Sequence, residues 1–208
     1  MPKAPRPKPL ALDQRIAKFA ARGLAKGPVT PNMVTGASIL VGVLAAVLFA
    51  QGGLIIHWGA GVFIVVVWMD HLDGELARET GTTSEFGHYF DHAAAMLNYV
   101  MMFVGSGVGI GDGILGISGP LLGIGAGVSV AAIMSVRIYG EERIGRAFNK
   151  QTVRAGFEIE DVLYVVAPIT WLGFFDYFIL LAGVGAPLFL LYVIWDCRRN
   201  IRRQGNNS

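Results

Sequence analysis

The stretch DHLDGELARETGTTSEFGHYFDHAAA, residues 70–95, decides how this chain is read. It holds three aspartates, three glutamates, three histidines and one arginine inside a chain that is otherwise largely apolar. It ends in plain alanines.

The surroundings set the class. Of 208 residues, 53% are hydrophobic and 15% charged, with a mean hydropathy of +0.53. A soluble domain carries about 25% charged residues, so the shortfall and the long apolar runs predict an all-α integral membrane protein. Cys197 is the single cysteine and cannot form an internal disulfide; it reads as a bystander.

Marking the apolar runs predicts six transmembrane helices, at 33–51, 54–70, 87–108, 119–139, 157–174 and 177–197. Thr30 and Pro31 read as the N-cap and first turn of the first. The division between the last two falls at LGFFDYF. Lys and Arg occur before residue 27, at Arg78, between Arg137 and Arg154, and from Arg198 onward. Alternate connections thus hold all the basic charge, which predicts both termini and the Arg78 connection in the cytoplasm. Residues 1–30 form a basic N-terminal segment with no signal-peptide cleavage site. Within it Leu12, Ile16, Phe19 and Gly23 fall opposite Arg15, Lys18, Arg22 and Lys26, predicting an amphipathic helix on an anionic membrane surface. Residues 31–200 form the six-helix domain and 201–208 a polar cytoplasmic tail. No nucleic-acid partner is expected.

The opening stretch then becomes geometry. If the second span continues past Asp70, then Asp70, Asp73 and Ala77 share one helical face, while Gly87, Asp91 and Ala95 form a stripe on the third span. Antiparallel helices joined by residues 79–86 bring Asp70, Asp73 and Asp91 together near the cytoplasmic interface. Close carboxylates repel unless protonated or bound to cations; Mg²⁺ or Mn²⁺, hard ions with oxygen ligands, are the natural solution. Gly74 and Gly87 leave room for a substrate beside the backbone. Arg78 offers a positive charge suited to phosphate. Glu75, Glu79 and Glu85 fall off these stripes and read as solvated.

The spacing matches D-x-x-D-G-x-x-A-R-(eight residues)-G-x-x-x-D-x-x-x-D at every fixed position except the last, and so resembles the signature of the CDP-alcohol phosphotransferase (CDP-alcohol phosphatidyltransferase) family. TPNMVTGASILVGVLAA in the first span is similar to that family's usual opening. The resemblance implies transfer of a substituted phosphoryl group from a CDP-linked donor to an alcohol hydroxyl, with release of CMP. It implies a two-metal site on Asp70, Asp73 and Asp91, and a nucleotide and diphosphate pocket shaped by Asp73, Gly74, Ala77, Arg78 and Gly87. The six-span plan resembles bacterial inner-membrane members that join CDP-diacylglycerol to a polar alcohol. Transfer of phosphocholine or phosphoethanolamine onto diacylglycerol is the alternative. Arg137, Arg143, Arg146 and Arg154 are candidates for binding a phosphorylated acceptor, or for topology and lipid headgroups.

The departure is Ala95. In the family, the last aspartate is a metal ligand and the base that activates the acceptor, and a methyl group does neither, so impaired catalysis is expected. Three readings stay open: an introduced Asp→Ala change, a naturally inactive homologue, or an active enzyme with a substitute base. His88 shares the stripe of Asp91 and Ala95 and is the candidate substitute. His71 and His92 flank the aspartates as candidate supports. A transporter would place carboxylates across the membrane instead of at one interface, while a non-catalytic scaffold would explain Ala95 directly. Gly119, Gly123 and Gly127 suit close helix packing, either internally or in a homodimer. The glycines at 105, 107, 109, 111 and 113 predict fraying of the third span. Pro168 and Pro187 predict kinks in the last two.

Overall fold

The computed structural model describes residues 12–112, 116–144 and 164–205. Among them the chain is all-helical, with no β-strand. The helices are α1 (Leu12–Leu24), α2 (Pro31–Ala50), α3 (Ile56–Thr80, after a 3-10 turn at Gly53–Ile55), α4 (Glu85–Ile110), α5 (Gly119–Ile144), α6 (Val166–Trp171) and α7 (Phe175–Gly205). Five helical stretches are long and apolar enough to cross a membrane: Pro31–Ala50, Gly53–Thr80, Glu85–Ile110, Gly119–Arg143 and Phe175–Arg203. The predicted fifth span lies outside the described residues until Tyr164, so α6 shows only its end.

Local chemistry sets the boundaries that matter for function. Thr30, in extended conformation, caps α2 by accepting from the Met33 amide at 3.3 Å, with Pro31 opening the helix. The helix carrying Asp70 and Asp73 does not stop at Asp70: α3 runs unbroken to Thr80, and the stretch Gly53–Thr80 covers 28 residues. It ends where Gly81 takes φ +65° and the Thr82 amide reaches back to the Ala77 carbonyl at 3.1 Å. Ser84 then caps α4, accepting from the Gly87 amide at 3.0 Å. Between α6 and α7, Gly173 takes φ +80°, within the predicted LGFFDYF division.

Packing follows from small residues. Helix α2 lies against both α3 and α4, and α5 lies between α4 and α7. A Cβ on Gly105 would run into the Ala46 carbonyl, one on Gly109 into the Phe49 carbonyl, and one on Gly123 into the Phe103 carbonyl. Backbone therefore touches backbone along both faces of α4, the device by which helices associate in lipid without a hydrophobic drive. This corrects one expectation and decides one open alternative. Helix α4 does not fray through its glycines: it stays helical to Ile110, and Gly105, Gly107 and Gly109 are its contact points. Of the two roles weighed for Gly119, Gly123 and Gly127, internal packing holds, because α4 occupies that face through Gly107, Phe103 and Val100.

A core of Phe49, Phe63, Met102, Val166 and Ile179 fills the space between the helices. Phe49 stacks on Phe175 at 5.3 Å and meets Phe63 edge-on at 6.5 Å. Helix α1 packs separately. Its Ala17 and Ala21 are fully buried with Leu72 and Leu76 of α3, and Arg22 approaches Glu79 at 3.8 Å. Phe19, 81% exposed, and Ile16 point away from this contact.

Replacing Gly123 with leucine should break the α4–α5 contact, since overpacking costs about 1–3 kcal/mol or more where backbone cannot yield. A thermal melt in detergent should show a clear fall in Tm, while Gly185→Leu, where an added Cβ meets nothing within 4 Å, should change it little. Equal melting of both variants would contradict the packing described.

Candidate functional site

The polar end of the bundle is built by three helix termini. Helix α2 contributes its first two turns with Pro31, Asn32 and Thr35. Helix α3 contributes its last turns with Asp73, Gly74, Ala77 and Arg78, which fall on one face at offsets of one, four and five. The connection supplies Thr82, Thr83 and Ser84, and α4 supplies Gly87, His88 and Asp91. Together they enclose a cavity of about 220 Å³. A second cavity of about 300 Å³ shares Pro31, Asn32, Thr82 and Ser84 with it and extends past Val29, Thr30 and Thr80.

Two carboxylates face the first cavity. Asp73 is 3% exposed, and its Oδ2 accepts a hydrogen bond from Thr35 Oγ1 at 2.6 Å. Asp91 is partly buried on the opposite helix. His92 Nδ1 stands 3.9 Å from Asp91 Oδ2, too far for a hydrogen bond, and lies instead 3.0 Å from the His88 carbonyl. Asp70 sits one turn before Asp73, partly buried, and is not among the residues on the cavity wall. Among the described residues no three His, Cys, Asp or Glu side chains stand together in metal-ligand geometry. The donors nonetheless fit a hard divalent cation. Mg²⁺ is held through one or two carboxylates, with substrate phosphates and water completing the shell, and Asp73 and Asp91 supply two carboxylates to one cavity.

The glycines keep the cavity open. An added Cβ on Gly87 would stand 3.0 Å from Ser84 Oγ and 3.4 Å from Asn32 Oδ1, and one on Gly74 would stand 3.5 Å from the Arg78 guanidinium. The first turns of α2 and α4 both border the space. Helix N-termini carry partial positive charge and favour anions, and Arg78 adds a full one.

Other positions fall differently. Glu75 and Glu79 are not simply solvated: Glu75 Oε1 pairs with Arg78 at 3.0 Å, its side chain only 14% exposed, and Glu79 faces Arg22. Ala95 is buried in the apolar core cluster and does not line the cavity, although it lies one turn beyond Asp91. His88 is on the wall, 4.3 Å from His92 between ring centres. His71 Nδ1 lies 3.2 Å from the Tyr164 hydroxyl. Arg137 and Arg143 are on α5 and do not line this cavity; the Arg143 guanidinium sits 5.5 Å over the Tyr139 ring. Arg146 and Arg154 lie outside the described residues. Asn32, Thr35, Thr82, Thr83 and Ser84 had no place in the expected site. Their signal lay in TPNMVT and GTTS, which read as helix start and turn, not as cavity wall.

Comparison with known proteins agrees with this geometry. The sequence profile of the CDP-alcohol phosphatidyltransferase family matches residues 28–195. The archaetidylinositol phosphate synthase of Pyrococcus horikoshii is 34% identical over 105 residues, 50% of this chain and 52% of that protein. The phosphatidylinositol phosphate synthase of Mycolicibacterium smegmatis is 34% identical over 92 residues, 44% of this chain and 40% of its own length. The matches thus span about half or less of these relatives. Two crystal structures of the Mycobacterium tuberculosis phosphatidylinositol phosphate synthase share the fold, each with a TM-score of 0.62 and 24% identity. One was solved with CDP-DAG bound and covers 90% of this chain and 92% of that one. The other, in complex with manganese and citrate, covers 89% and 87%. From the helical bundle, six motif residues gathered on one cavity and the profile match over most of its length, this chain belongs to the CDP-alcohol phosphatidyltransferase family.

Proposed function

We propose that this chain transfers a phosphatidyl group from CDP-diacylglycerol to the hydroxyl of a polar alcohol, releasing CMP. The observation that carries the reading is the cavity itself. Of the seven motif positions present, six (Asp73, Gly74, Ala77, Arg78, Gly87 and Asp91) line it, and only Asp70 does not. A space with two carboxylates, one arginine and two helix N-termini suits a diphosphate carried with cations better than it suits any neutral ligand.

Asp73 and Asp91 would hold Mg²⁺ or Mn²⁺, with Asp70 as the third proposed ligand in a two-metal site. When bound, the ions neutralise the diphosphate and polarise its phosphorus. Arg78 and the amides at the start of α2 and α4 orient the donor. The adjoining hydroxyl-lined cavity has the chemistry for a nucleoside. The acceptor oxygen bonds to the lipid-bearing phosphorus, the phosphoanhydride P–O bond breaks, and its electron pair leaves with CMP. The acceptor proton requires a base, and Ala95 stands where the family's aspartate would serve. We therefore read the protein as catalytically impaired; His88, on the cavity wall, is the substitute base if turnover persists.

The relatives' names support an inositol-phosphate-type acceptor, with Arg137, Arg143 and Arg146 as the proposed phosphate contacts. Choline- or ethanolamine-phosphate transfer onto diacylglycerol is the alternative, and a non-catalytic ligand-binding scaffold is the alternative of another class. We further propose a six-span homodimer in a bacterial inner membrane, with α1 lying on the membrane surface. Exposed Phe19 and Ile16 would face lipid, with Arg15, Lys18 and Arg22 toward headgroups.

A substitution series tests the chemistry. Calorimetry in detergent should show CDP binding only with Mg²⁺ or Mn²⁺. Asp73→Asn or Asp91→Asn should weaken it about 10-fold or more, and His92→Ala far less, because a carboxamide is a poor ligand for a hard cation. Ala95→Asp should raise CMP release at saturating metal and donor by about 10²-fold or more, the lower end of a general-base effect. Metal-independent binding would sink the site. An Ala95 protein that already turns over normally, with nothing added by the aspartate, would move the base to His88. Topology has its own check. A cysteine at Asp112 should react with membrane-impermeant reagent from the outer face of intact cells, and labelling only after lysis would invert the arrangement.

A further inference from the structure

We propose that Thr35 is a positioning residue for the Asp73 carboxylate, supported from the bilayer side by a buried polar relay through Ser38 and Asn98. This rests on the site described under Proposed function.

The relay is continuous. Thr35 Oγ1 donates to Asp73 Oδ2 at 2.6 Å and lies 3.1 Å from the Pro31 carbonyl. The Thr35 carbonyl accepts from Ser38 Oγ at 2.8 Å, and Ser38 Oγ accepts from Asn98 Nδ2 at 3.3 Å. Asp73, Thr35, Ser38 and Asn98 are each 3% exposed. The chain runs from α3 through α2 to α4, and so joins the two helices that carry Asp73 and Asp91. Asn98 lies seven residues after Asp91, on the stripe of Asp91 and Ala95.

Its cost argues for use beyond packing. A buried polar atom without a partner is expensive, and Asn98 Oδ1 has no hydrogen-bond partner among the described residues. Position 42 is glycine, and a Cβ there would collide with that oxygen. Apolar side chains would join α2 to α4 without this burden. A β-branched threonine has few χ1 choices, so its hydroxyl fixes one carboxylate oxygen of a residue that borders the cavity. Partners of this kind are worth about 10–100-fold in metal affinity when removed. The sequence shows Thr35 and Asp73 as separate helix residues 38 positions apart; only the fold pairs them.

The test is Mn²⁺ titration in the presence of CDP, read from the free-Mn²⁺ electron paramagnetic resonance signal, with melting curves on the same samples. It needs no turnover. Thr35→Val should weaken Mn²⁺ binding about 10–100-fold, Thr35→Ser should stay close to the parental value, and Asn98→Ala should fall between them. Valine and serine variants losing affinity equally, or a Thr35→Val protein that melts lower but binds Mn²⁺ as before, would overturn the proposal in favour of a structural hydroxyl. Thr35→Ala replaces the valine variant if that one does not fold. If neither folds while serine does, the role is again structural and the proposal fails. A folded parental protein that binds no Mn²⁺ would overturn the site reading instead, and the relay with it.

Discussion

The polar end of this molecule depends on one hydrogen bond, from Thr35 on α2 to the buried carboxyl group of Asp73 on α3. A carboxylate deep in a helix bundle is tolerated only when its oxygens are satisfied. One oxygen meets a hydroxyl held rigidly on a neighbouring helix, and Asp73 still borders the cavity with Asp91 and Arg78. The acids near the membrane edge are thus sorted by surroundings. Glu75 and Glu79 are paired with arginines, whereas Asp73 and Asp91 border the cavity.

That arrangement needs helices packed closer than ordinary side chains allow. Gly105 and Gly109 bring α4 onto α2, and Gly107 with Gly123 brings it onto α5. The placement of α4, which carries Asp91, against α2 and α5 is therefore set by backbone contact, a stiffer ruler than interdigitated leucines. Two capping events finish the geometry: Gly81 ends α3 and Ser84 starts α4, so four residues, 81–84, turn the chain between the two carboxylates.

Much of this was legible in the residues. Apolar runs located the five long helices, Thr30 and Pro31 marked a helix start, and the aspartate spacing identified the family. What could not be read was pairing across distance. Nothing in TPNMVT announces that its last threonine will meet an aspartate 38 residues away. The glycines of α4 looked like a weak helix end because local propensity counts glycine against a helix, whereas close approach in a bundle favours it. Glu75 read as solvated because its stripe faced away from the motif, yet it shares the last turns of α3 with Arg78. Arg146 and the start of the predicted fifth span lie outside the described residues.

The central claim is that Asp73 and Asp91 bind one cation–diphosphate unit between α3 and α4. Anomalous diffraction from crystals grown with Mn²⁺ and CDP tests it most directly. A manganese peak should stand within coordination distance of a carboxylate oxygen from both residues, with the CDP diphosphate beside it and Thr35 still bonded to Asp73. Manganese bound elsewhere, or CDP seated in the cavity with no metal at either aspartate, would contradict it.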